Sequence, residues 1–145
     1  MMADELQGLT LAFVGGGTMA GAMIQALRGV GGVAPEQIIA SDPLVERCEE
    51  LQAHYGVRVT TDNVVACGEA DIVILAVKPQ VLPHVLPELR GHIRPAALVF
   101  SIVAGMPIAT IGSGLDHAAV VRVMPNTPAQ IGEGMAVWTG APGGT

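Results

Sequence analysis

Short apolar, β-branched runs alternate along the chain with amphipathic stretches, the pattern of βαβ units whose parallel strands are covered on both faces. Strands are predicted near Leu9–Val14, Gln37–Ala40, Val57–Thr60, Asp71–Val77, Ala97–Val103 and Val120–Met124. Between the first two, Met19, Met23, Ile24 and Leu27 recur at helical spacing and predict a helix from Thr18 to about Gly29. A second helix is expected from Pro43 to about His54, with Asp42 as its cap and Pro43 in its first turn. Shorter helices should follow Asp62, Pro79 and Pro107. Pro125 to Gly134 reads as a loop and Gly134 to Trp138 as one more short strand.

The first strand-to-helix junction carries the sharpest signal. Gly15, Gly17 and Ala20 fit G-x-G-x-x-G/A directly between a strand and a helix, the context that separates a dinucleotide fingerprint from a bare glycine run. Gly15 permits the tight turn, Gly17 lets backbone approach a pyrophosphate, and the helix amino terminus presents free N–H groups and a positive dipole end. The fold class expected is therefore α/β, a Rossmann-type doubly wound, mostly parallel sheet with helices on both faces. At the end of the second strand stand Ser41, Asp42 and Arg47. A carboxylate there accepts from an adenosine 2′-hydroxyl, whereas Ser41 and Arg47 could hold a 2′-phosphate, and Asp42 could equally serve only as a helix cap. The ends of later strands, Ala76 to Gln80, Ser101 to Gly105 and Val123 to Pro128, should converge on the same crevice. Lys78 is the only lysine and lies at such an end. Pro125 and Pro128 would hold Asn126 and Thr127 in a stiff loop able to aim an amide at a ribose or carboxamide.

Composition narrows the ligand and the setting. With a net charge of −6 and no basic cluster, nucleic acid is not an expected partner, and an anion must be held by backbone amides and a few side chains. Half the residues are hydrophobic and mean hydropathy is +0.52, yet the richest run, Ala96 to Ile108, is broken by Ser101, Gly105 and Pro107, so no membrane span is expected. Asp4 and Glu5 in place of a basic leader predict no secretory signal and a cytoplasmic protein. Cys48 and Cys67 share no metal or disulfide spacing, and His54, His84, His92 and His117 fall singly. No metal site is expected, and no residue is nominated as catalytic.

On these residues the chain resembles the pyrroline-5-carboxylate reductases, which reduce a cyclic imine to proline. The run from Phe13 to Ala20 resembles that family's first turn, Ala76 to Pro79 its post-strand loop, and Ser101 to Gly105 the next. Val121 to Ala129 is the most specific piece. The resemblance implies that Gly15, Gly16, Gly17, Thr18 and Met19 bind the pyrophosphate and that Asn63 contacts the adenosine ribose or its phosphate. It places Ala76, Val77, Lys78 and Pro79 beside the cofactor, Ala104 and Asn126 beside the nicotinamide, and Ser41 where an NADP phosphate is often read. NADPH is the favoured cofactor, NADH the other possibility, because Asp42 neighbours Ser41.

The family's second half is an all-helical domain that dimerises and completes the imine site. Residues 1–145 are expected to be the cofactor-binding domain alone, part of a homo-oligomer when full length and inactive by itself. Ala141 to Thr145 resembles a motif of that second half but comes too early, and Thr145 is not proposed as catalytic. Two other readings stay open: another two-domain dehydrogenase, of the β-hydroxyacid type, and a non-catalytic dinucleotide-sensing module.

Overall fold

A computed structural model of the chain describes residues 6–123. Its elements alternate as the pattern predicts: β1 (Leu11–Val14), α1 (Thr18–Arg28), β2 (Ile38–Ser41), α2 (Val45–Tyr55), β3 (Arg58–Thr60), α3 (Asn63–Cys67), β4 (Ile72–Leu75), α4 (Leu82–Leu89), β5 (Leu98–Ser101), α5 (Ile108–Leu115) and β6 (Val120–Arg122). The strands are shorter than the apolar runs that announce them, since those runs extend into the connections. Gln37, for instance, closes a 3₁₀ turn (Pro35–Gln37) that feeds β2.

All the pairings are parallel, in the order β3-β2-β1-β4-β5-β6. The chain starts in the middle, moves outward to β3, then crosses back to the other side of β1, which makes the β1/β4 boundary the topological switch point. Side chains of period two divide the core. Leu11 and Phe13 of β1, with Ile74 of β4, pack on one face against Ile24 of α1 and Leu51 of α2. Ala12 and Val14, with Val73 and Leu75, pack on the other against Leu82, Leu86 and Leu89 of α4 and Ile111 of α5. Strands buried on both faces need continuous apolar sequence, which is why these read as runs rather than alternations. Phe13 is fully buried, so Phe13→Ala should cost about 3–5 kcal/mol.

Register sets up the carboxyl edge of the sheet. Val14 pairs with Ser41 and with Leu75, and Leu75 with Ser101. The residues that follow, Gly15, Asp42, Ala76 and Ile102, therefore leave the sheet side by side.

The second helix departs from expectation. It begins at Val45 with Leu44 at its N-cap position, so Pro43 is not in its first turn and Asp42 does not cap it. The Asp42 carboxylate closes a local turn instead, Oδ1 accepting from the Leu44 N–H at 2.9 Å. An aspartate two residues before a free N–H does this readily, and the turn delays the helix. Asp62 is a true cap: its side chain accepts from the N–H groups of Val64 and Val65 at the start of α3.

Candidate functional site

At the switch point the chain turns from β1 into α1 through Gly15, Gly16 and Gly17. Gly15 has φ +101°, and a Cβ on it would stand 2.8 Å from the Ala76 carbonyl oxygen. Only glycine fits there, both for its backbone conformation and for the close passage of the β4 exit. Its N–H donates to the Ser41 carbonyl (2.9 Å), and the Ala76 N–H to that of Val14 (2.8 Å), which locks the three strand ends together.

Gly16 and Gly17 face opposite ways. A Cβ on Gly16 would meet Leu51 at 2.9 Å and Asp42 at 3.2 Å, so that side is packed. A Cβ on Gly17 would meet nothing within 4 Å. The opening above Gly17 continues into a cleft of about 290 Å³ lined by Gly15, Gly16, Gly17, Asp42, Ala76 and Lys78, with Pro43, Leu44, Val77 and Val81 completing its wall. Gly17 is the N-cap of α1; it supplies no side-chain cap, and the first turn holds no acidic residue. The leading N–H groups of α1 are thus left to a ligand or water, at the positive end of the helix dipole.

Asp42 lines this cleft and points back at the turn, Oδ2 accepting the Gly16 N–H at 3.0 Å. Cys48 sits underneath, its Sγ 3.4–3.5 Å from the carbonyls of Thr60 and Asp42, and burial pushes its thiol up.

Several expected site residues lie elsewhere. Ser41 is fully buried, and Ser41 Oγ is 2.6 Å from Asn63 Oδ1 and 3.3 Å from the Phe13 carbonyl. It is therefore not among the residues that line the cleft. The reason is strand parity, for Ser41 shares the β2 face of Ile39, which packs into the core with α4 and α5. Arg47, the other candidate for that phosphate, is turned onto the fingerprint carbonyls of Gly16 and Gly17. Asn63 is half-buried and donates from Nδ2 to Glu88 Oε1 at 2.8 Å, and its second amide proton meets no acceptor among the described residues. Lys78 and Pro79 are exposed at the rim and Ala104 is exposed in the turn after β5. Asn126, the rest of the Met124–Pro128 loop and the Gly134–Trp138 strand lie outside the described residues.

The apolar wall of the cleft went unread in the sequence. Leu44 and Val81 are large, exposed hydrophobics, and exposure of that kind has no local signature. Among the described residues no group of three or more His, Cys, Asp or Glu is placed to hold a metal, and no helix is long and apolar enough to cross a membrane.

Comparison with known proteins agrees with this geometry. The chain is 46% identical over 124 residues to a pyrroline-5-carboxylate reductase of Methanosarcina acetivorans, covering 85% of the chain and 46% of that protein. To the Synechocystis enzyme of the same name it is 44% identical, covering 88% of the chain and 47% of the relative. Among solved structures, a pyrroline-5-carboxylate reductase from Coxiella burnetii superposes with a TM-score of 0.77 at 32% identity, covering 85% of this chain and 46% of the other. The chain thus spans about half the length of the curated relatives it matches. Residues 10–105, from the start of β1 through the fingerprint turn to the loop after β5, match the family described as NADP oxidoreductase, coenzyme F420-dependent, and the chain belongs to that family.

Proposed function

We propose that this chain is the dinucleotide-binding domain of a pyrroline-5-carboxylate reductase, with NADPH the favoured dinucleotide and NADH the second. The observation that carries the dinucleotide is the open side of Gly17, where uncapped helix amides meet a cleft at the switch point of a parallel sheet. The family's description favours the phosphorylated form. Identities of 46% and 44% to reductases of that name carry the imine substrate.

The bound dinucleotide would supply a hydride for the C=N carbon of pyrroline-5-carboxylate, giving proline. The chain's own residues bind and orient. Gly17, Thr18 and Met19 donate backbone N–H groups to the pyrophosphate, while Gly15 and Gly16 keep the turn against β4. Asp42 and the second amide proton of Asn63 border the adenosine ribose, with Ser41 supporting Asn63 from behind. Ala76, Val77 and Lys78 form the opposite wall with Pro79 next to them, and Ala104 and Asn126, the latter outside the described residues, are assigned to the nicotinamide end. No residue here is assigned proton transfer. That step, the imine contacts and homo-oligomer formation belong to the remainder of the full-length protein, a helical domain in a cytoplasmic enzyme.

Titration of NADPH and NADH into the chain, followed by nicotinamide fluorescence, tests the reading. Saturable binding without reduction of pyrroline-5-carboxylate is expected from residues 1–145, and turnover from a full-length protein carrying them. Failure of both dinucleotides to bind would overturn it.

A further inference from the structure

Three consecutive glycines carry no Cβ to restrain their peptide planes, so the orientation of the turn must be imposed from outside it. The grip falls on Gly16. Its N–H donates to Asp42 Oδ2 at 3.0 Å, and its carbonyl accepts from Arg47 Nε. Arg47 Nη2 reaches the next carbonyl, that of Gly17, at 3.3 Å. Its Nη1 is paired with Glu50 Oε1 at 3.2 Å, which holds the guanidinium from its outer side. Space for it is left by α1 itself, since a Cβ on Gly21 would stand 3.1 Å from Nη2.

In a trans peptide the C=O of one residue and the N–H of the next point in opposite directions. Turning the Gly16 carbonyl toward α2 therefore turns the Gly17 N–H away from it, on the side where Gly17 is open, whereas the Gly17 carbonyl also accepts the Gly21 N–H at 3.0 Å and is fixed by α1 itself. We infer that Arg47 is the positioning residue of the pyrophosphate turn: it acts through the Gly16 carbonyl, without touching the ligand, to hold the Gly17 amide toward the cleft and keep that carbonyl oxygen out of it. The fork of the guanidinium suits this task because one planar group spans both acceptors, which a lysine ammonium cannot do with the same geometry.

The ligand's identity rests on the proposed function, whereas the clamp does not, and the test separates them. In the ligand-free chain, Arg47→Met should shift and broaden the ¹H–¹⁵N resonance of Gly17, with the β1 and β4 amides unmoved. An unchanged Gly17 signal would overturn the clamp whatever the protein binds. For NADPH, NADH and ADP alike, Arg47→Met should weaken binding by about tenfold or more, the scale of a lost charged hydrogen bond. Arg47→Lys keeps the charge and loses the fork, so it should fall with the methionine variant. Full recovery of affinity by lysine, or unaltered affinity in a folded methionine variant, would also overturn it. A wild-type chain that shows the resonance effect but binds neither dinucleotide would refute the functional reading and leave the clamp supported.

Discussion

The Asp42 carboxylate bridges two backbone segments, accepting the Gly16 N–H at 3.0 Å and the Leu44 N–H at 2.9 Å. It is at once a brace for the fingerprint turn and part of the wall of the cleft, where the proposed function would set it beside an adenosine 2′ group. Asp42→Ala should lower stability by about 0.5–1.5 kcal/mol, chiefly through the partly buried Gly16 N–H, since the Leu44 N–H is exposed to water. The same change should shift the ratio of dissociation constants toward NADPH by removing repulsion of the 2′-phosphate. Parallel titrations of both dinucleotides check this, and an unchanged ratio would reduce Asp42 to its bracing role.

Gly15 and Gly17 should fail in different ways. Gly15→Ala forces a side chain into φ +101° and against the Ala76 carbonyl, and should cost more than about 2 kcal/mol by thermal or denaturant unfolding. Gly17 has an ordinary φ of −73° and open space beside it, so Gly17→Asp should fold while abolishing dinucleotide binding by placing bulk and negative charge where the proposed function would seat the pyrophosphate. Calorimetry on the folded variant decides the second case.

At the opposite edge of the sheet, Asp71 accepts from the Thr10 N–H at 2.9 Å and pairs with Arg94 at 2.7 Å. The Thr10 N–H, the largest influence, holds the Asp71 carboxyl below the usual carboxylate range; burial opposes it, and Arg94 adds to the lowering. A lowered folded pKa means that the stabilisation is present above the unfolded value and is lost as pH falls through the folded one. Asp71→Asn should therefore melt below the wild type at neutral pH. The gap should narrow under acid conditions, through and below the usual carboxylate range. A gap that does not change with pH would assign the loss to geometry rather than charge.

Cys67 is fully buried, and burial, with a smaller push from Glu88, raises its thiol to about 12. Only the thiolate attacks an alkylating or disulfide reagent. In the native chain Cys67 should resist modification at pH 8 and react only as fast as the protein opens, which mass spectrometry of the labelled chain across a urea series would show. Rapid labelling under native conditions would contradict the packing around α3.

What could be read from the chain was local. Apolar runs at strand length and Met23, Ile24 and Leu27 at helical spacing are properties of neighbours in sequence, and the glycine fingerprint draws its meaning from the strand before it and the helix after it. The inward turn of Ser41 was also within reach, because strand parity puts it with Ile39 rather than Ala40. The start of α2 was not, since Asp42 and Pro43 look like a cap and a first turn until Gly16 is seen to share the carboxylate.

The sequence by itself determined the order of elements, the parallel sheet and the place where a pyrophosphate could approach, because burial on both faces and a turn without side chains leave periodic, short-range marks. Only the tertiary structure decided which polar groups serve the turn and which face the ligand. Arg47 lies on α2 and the carbonyls it holds lie before α1, 30 and 31 positions away. Ser41 and Asn63 meet across 22. Pairings of that reach depend on strand register and on the rotation of each helix about its axis. The packing of Phe13, Ile24 and Leu51 in one core fixes these once the whole domain has closed.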